Sequence, residues 1–244
     1  MVKRTLKELT LKDNFMFGAV MSDEENCRRL LEMILQFPIA RVEMQAVYET
    51  ALGKRTRYYH SQIDMELLQS GADYTELPDT YVIFICDFDP FGEHKYCYTF
   101  EQRCQESETV CLNDGSRSIF LSTCGENPED VPVPMVKFLE YVKADLSESQ
   151  KDFEDEYVAT LQRSVQRIKS KREMEERFML WELLLRDERR EGRVEILLEI
   201  LNSLGDVSED LKAKITSEAR VSVLAEWTKL AAKSESIEQF IQKM

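Results

Sequence analysis

Hydrophobic and polar positions along the chain fall into two regimes. Up to about residue 134, helical stripes alternate with apolar runs of strand length; beyond it the apolar spacing is helical throughout. Leu9 to Met21, with Phe15, Phe17 and Val20, predicts a short helix or helical turn holding one conspicuous acid, Asp13. Ser22-Asp23-Glu24-Glu25 has capping-box spacing, with Ser22 as the expected N-cap and Glu25 three residues on. The helix that follows is expected to bury Cys27, Leu30, Leu31, Ile34 and Leu35 and to stop at Phe37-Pro38. Ala40 to Val47 reads as a buried strand. Glu49 to Ser70 reads as an amphipathic helix with Tyr59, Ile63 and Leu67 on one stripe and Gly71 just past its end.

Tyr81-Val82-Ile83-Phe84-Ile85-Cys86 is a continuous apolar run, expected in the middle of a sheet covered on both faces. It leads into a turn, Asp87 to Gly92. Lys95–Phe100 and Ser118–Ser122 read as further strands, with Asn113-Asp114-Gly115 a turn signal between them. Glu126 to Pro134 reads as a loop. From Met135 on, Phe153, Tyr157, Leu161, Val165 and Ile168 form one helical stripe. Val194–Leu204 predicts another helix closed by Gly205, Ser208 starts a third, and Ser236 to Gln239 is a capping box for the last. The pattern therefore predicts an α/β core over residues 1–134 and an all-helical C-terminal region over 135–244.

Charge narrows the partners. Acidic residues number 46 against 32 basic, a net charge of −14, which disfavours indiscriminate attraction to nucleic acid or to an anionic membrane. A DNA contact has to come from a local basic patch. The basic run Arg163, Arg167, Lys169, Lys171, Arg172 lies among acids and reads as a solvated helix face. The six cysteines include no Cys-x-x-Cys, and only two histidines could join them, which argues against zinc. The first residues lead into a polar segment rather than a leader-like apolar run, and no stretch is long and apolar enough to span a membrane. A reducing cytoplasm is the expected setting.

Chemistry-bearing side chains concentrate at two places. In the Ala40–Val47 strand, Glu43 and Gln45 project to one face while Val42 and Met44 turn to the other. Such a pair is either a solvated strand face or half of a metal site, in which Glu43 and the Met44 carbonyl hold a hard cation such as Mg²⁺ and Gln45 orients a water. Soon after, Lys54, Arg55 and Arg57 open the next helix, followed by Tyr58 and Tyr59. They read equally as solvated helix charges and as contacts to phosphates. Asp87 and Asp89 read first as turn chemistry.

Several of these pieces, in this order, resemble the PD-(D/E)XK nuclease family transposases. The pieces are Asp13-Asn14-Phe15-Met16-Phe17, Glu43-Met44-Gln45, Lys54-Arg55-Thr56-Arg57-Tyr58-Tyr59, Tyr81 to Gly92, and Tyr98-Thr99-Phe100-Glu101. The resemblance implies a restriction-endonuclease-like mixed sheet flanked by helices and hydrolysis of DNA phosphodiesters with Mg²⁺. It implies Glu43 as a metal ligand and Gln45 in place of the lysine that positions the attacking water; an amide can orient but is not a base. In the family, a hairpin bearing the first catalytic Asp precedes the Glu-x-Gln strand. Here Pro38-Ile39-Ala40-Arg41-Val42 runs directly into Glu43, and no acid occurs between Glu32 and Glu43. Asp13 is then the one matched acid left to reach a metal. The expectation is a nuclease-like protein that is catalytically impaired, with a non-catalytic DNA-binding or protein-interaction remnant as the alternative. A bared strand edge, or the helical tail, would promote homo-oligomers.

Overall fold

The computed structural model describes residues 4–37, 52–68 and 73–244. The chain divides into two compact units, Met1–Lys171 and Arg172–Met244. The strands end well before that division, so the change of pattern near residue 134 marks the end of the sheet, while two more helices still belong to the first unit.

In the first unit, a 3-10 turn (Leu6–Glu8) precedes α1 (Asn14–Met21) and α2 (Glu24–Leu35). Ser22 is not the N-cap of α2. Its amide and its hydroxyl both donate to the Gly18 carbonyl, at 2.9 and 2.7 Å, so it closes α1. The cap role passes to Asp23, whose carboxylate accepts from the Asn26 amide. Cys27, Leu30 and Ile34 are buried, whereas Leu31 and Leu35 are only half-buried. Gln36, in the left-handed conformation at φ 60°, ends the helix ahead of Pro38.

α4 (Val133–Lys143) and α5 (Glu156–Lys169) pack with α1 and α2. Tyr157, Leu161, Val165 and Ile168 form the buried stripe of α5. Phe153 lies ahead of the helix, and its ring meets that of Tyr141 edge-on at 5.3 Å. One polar link crosses this layer. The Asn26 amide donates to the Val20 carbonyl and to Ser164 Oγ, both at 3.1 Å, and Tyr157 donates its hydroxyl to the Asn26 carbonyl at 2.8 Å. Each buried polar group of the junction thereby has a partner.

The sheet is β1 (Thr80–Cys86), β2 (Cys97–Phe100) and β3 (Ser116–Ser122), in the order β1-β3-β2. β1 runs parallel to β3 from Thr80↔Ser116 to Cys86↔Ser122, and β2 runs antiparallel to it from Cys97↔Leu121 to Phe100↔Ser118. The sheet is mixed and flanked by helices, as expected, but among the described residues its middle strand is β3, not the more apolar β1. Ile119 to Ser122 are buried, with Leu121 fully so. The turn into β3 uses positive φ at Asn113 and Gly115. A side chain at Gly115 would meet the Asp79 carboxylate at 2.7 Å, so this position requires glycine. α3 (Leu52–Leu67) packs against β1. Its stripe ends one turn earlier than expected, because Leu67 is 48% exposed.

In the second unit, α6 spans Arg172–Leu204, far longer than the helix expected from Val194, because the intervening charged residues favour helix without showing an apolar period. α7 (Glu209–Ser217), α8 (Val221–Ala231) and α9 (Ile237–Lys243) complete it around Leu197, Leu201, Ile215, Leu224 and Phe240. Ser208 and Ser236 cap α7 and α9 as expected, accepting from the Leu211 and Gln239 amides. The Gln239 side chain returns to the Glu235 amide, one residue before the cap. All six cysteines are free, and among the described residues no helix is long and apolar enough to cross a membrane.

Phe138 is fully buried in α4. Phe138→Ala is expected to lower the unfolding free energy by about 3–5 kcal/mol, read as a lower urea midpoint at unchanged slope.

Candidate functional site

The helix that carries the basic cluster is held to the sheet by one face. Thr56 is buried, its hydroxyl donating back to the Leu52 carbonyl at 2.7 Å. One turn on, the Tyr59 ring lies 6.2 Å from Phe84 of β1. His60 spans two strands, with Nδ1 2.7 Å from Thr80 Oγ1 and Nε2 3.2 Å from Ser118 Oγ. Thr80 and Ser118 sit on the same side of the sheet as Phe84 and Phe120, since strand positions two apart share a face.

This docking divides the three cations. Arg55 turns inward, where its Nη2 donates to the Tyr59 hydroxyl at 2.6 Å and its guanidinium lies 5.5 Å above the ring. Lys54 and Arg57 face solvent together with Tyr58, which is 59% exposed. The cluster that reads as one patch in sequence is thus a two-cation surface beside an internal Arg–Tyr pair.

Asp13 is committed locally. One carboxylate oxygen accepts from Arg4 Nη2 and the other from the Thr10 amide, each at 2.7 Å, and the side chain is 19% exposed. It sits at the head of α1, where a negative charge is favoured by the helix dipole. Glu43, Met44 and Gln45 lie outside the described residues. Among the described residues no group of three or more His, Cys, Asp or Glu side chains converges as cation ligands do.

The Asp87–Gly92 turn has a clear job for each acid. Asp87 pairs with Lys12 at 2.7 Å. Asp89 braces the loop, accepting from the Tyr98 hydroxyl at 2.7 Å, the His94 amide at 2.8 Å and the Phe91 amide at 3.2 Å. Burial works to raise its pKa, but the Tyr98 hydroxyl and the amides of His94, Phe91 and Gly92 outweigh it and hold the carboxyl at about 2. For His60 burial is the dominant influence and lowers its pKa, against a smaller upward pull from Asp64 and Asp114. The sequence reading did not single out His60. Its partners, Thr80 and Ser118, lie 20 and 58 residues away, so no spacing near His60 in the sequence points to them.

With this geometry in place, comparison with known proteins adds the lineage. Residues 2–189 match the family described as PD-(D/E)XK nuclease family transposase. No curated protein matches the chain, and no solved structure does.

His60 and Asp89 each contribute to the pH dependence of stability. His60 binds its proton less readily folded than unfolded, so the stability tied to it is complete above pH 6.5 and falls as the pH drops below that value. Asp89 contributes in the same direction at lower pH, its share being lost as the pH falls from 3.8 through about 2. Urea denaturation across pH 2–8 should show both limbs; His60→Gln removes the upper one and Asp89→Asn flattens the lower.

Proposed function

Because the chain belongs to the PD-(D/E)XK nuclease family transposases, with the match running through the whole first unit, we propose that it acts on DNA as a nuclease-descended protein whose phosphodiester hydrolysis is impaired. The supporting observation is the commitment of Asp13. With one oxygen on Arg4 and the other on the Thr10 amide, it holds the entry into α1, which supports reading it as structural rather than as a stand-in for the family's first Asp. Among the described residues no group of three or more metal-ligating side chains converges. Glu43 and the Met44 carbonyl remain as ligands, with Gln45 able to orient a water but not to deprotonate it. Loss of a ligand that fixes metal and nucleophile forfeits several kcal/mol of transition-state stabilisation, at tenfold in rate for roughly each 1.4 kcal/mol.

DNA contact rests on Lys54 and Arg57, the two solvent-facing cations of α3. A protein of net charge −14 gains little from diffuse attraction, so a paired cation surface on one helix is where phosphates are expected. A second reading, assembly through the helical tail without catalysis, is favoured by one observation. Met179, Leu180, Leu183 and Leu184 of α6 are 40–58% exposed on neighbouring turns.

In a supercoiled-plasmid assay with Mg²⁺, parent and Glu43→Ala are expected to leave the plasmid equally intact; robust cleavage by the parent that the substitution abolishes overturns the impaired reading. Duplex binding over a salt series separates the two readings. Contacts from Lys54 and Arg57 should give a log–log slope that falls by about two units in Lys54→Gln/Arg57→Gln, whereas absence of salt-sensitive binding favours the assembling tail.

A further inference from the structure

Three large rings stand open on the side of the sheet that α3 occupies or on the turn beside it. Phe88 is 50%, Phe91 43% and Phe100 45% exposed. Phe91 and Phe100 lie 4.9 Å apart, and each meets the buried Phe120 ring edge-on, at 5.2 and 5.6 Å. Phe120 stacks on Phe84 at 5.1 Å with the rings 6° from parallel, and Phe84 reaches Tyr59 of α3. A continuous path of aromatic contacts therefore joins the basic helix to the exposed pair. The rings are not loose. Asp89 ties the Phe91 amide, the His94 amide and the Tyr98 hydroxyl together, and the Phe91 ring packs on that of Tyr98 at 4.9 Å.

Building on the DNA reading above, we infer that Phe91 and Phe100, with Phe88 beside them, form a stacking platform for unpaired bases, and that the nucleic acid this protein holds is single-stranded. Stacking, not charge, selects this occupant. Phosphate attraction is weak across a chain of net charge −14, whereas base–aromatic stacking needs no cation and is available only where bases are unpaired. Of the acids near the rings, Glu101 is paired with Arg103 at 2.6 Å and Asp89 is turned toward its three donors in the loop. Rings fixed in advance lose little freedom when a base settles on them. α3, which carries the exposed Lys54 and Arg57, is the element from which the aromatic path starts, through Tyr59.

The test is fluorescence anisotropy with the full chain in EDTA, using a labelled oligothymidine of about 20 nucleotides and a hairpin duplex of matching length. The variants are Phe91→Leu and Phe100→Leu, which keep apolar volume and remove the π-face, with thermal melts to confirm that both fold. The expected result is tighter binding of the single strand than of the duplex and a loss of about tenfold for the single strand in each variant, with duplex binding unchanged. Equal affinity for both probes, or leucine variants that bind oligothymidine like the parent, overturns the platform while leaving the DNA reading in place. Binding of neither probe removes both. Self-association that the leucine substitutions abolish, seen by light scattering, reassigns the rings to a protein contact and also overturns the inference.

Discussion

The parallel pairing of β1 with β3 is the constraint on which the first unit depends. Seven residue pairs, from Thr80↔Ser116 to Cys86↔Ser122, place strands distant in sequence side by side. Parallel pairing of this kind brings no local reward, because the intervening chain must be ordered before the ladder closes. Burial of Ile119 to Leu121 and the Phe84–Phe120 stack supply what the ladder alone does not. Its carboxyl end is closed by the Thr123 amide on the Cys86 carbonyl and by Ser122 Oγ on the Phe88 carbonyl. From that end the Asp87–Gly92 turn departs, and against the opposite end α3 is held by His60. The exposed cations and the aromatic surface owe their positions to the same ladder.

Asp13 shows how one acid can tie a loop to the start of a helix. Its two oxygens accept from different donors, a guanidinium and an amide, so the side chain is held in one orientation. The chain's N-terminal segment gains an anchor, Arg4 to Asp13 to the Thr10 amide, that fixes the entry into α1.

What the sequence made visible was local, and what it concealed was pairing between distant segments. The α5 stripe and the Ser208 and Ser236 caps follow from spacing within a few residues. Ser22 and Asp23 are both good cap formers with acids downstream; only the Ser22 amide's bond to Gly18 assigns it to the preceding helix. The middle strand could not be read from apolarity, since β1 is the more uniformly apolar run while β3 is the more buried. His60 was hidden for the same reason, its partners being 20 and 58 residues away. Of the candidate site, the division of Lys54, Arg55 and Arg57 into outward and inward members depends on the Tyr59 hydroxyl. Glu43, Met44 and Gln45 lie outside the described residues.

α6 carries a consequence for where the chain can be cut. The family match stops at residue 189, near the midpoint of a continuous helix about 50 Å long. The backbone stays helical straight through that point, and Leu197 and Leu201 farther along are fully enclosed by the closing helices. The matched stretch therefore ends inside a single rod that lies wholly within the second compact unit. Truncating the chain at residue 189 would sever that rod and strip the closing helices of Leu197 and Leu201, the residues they are folded around.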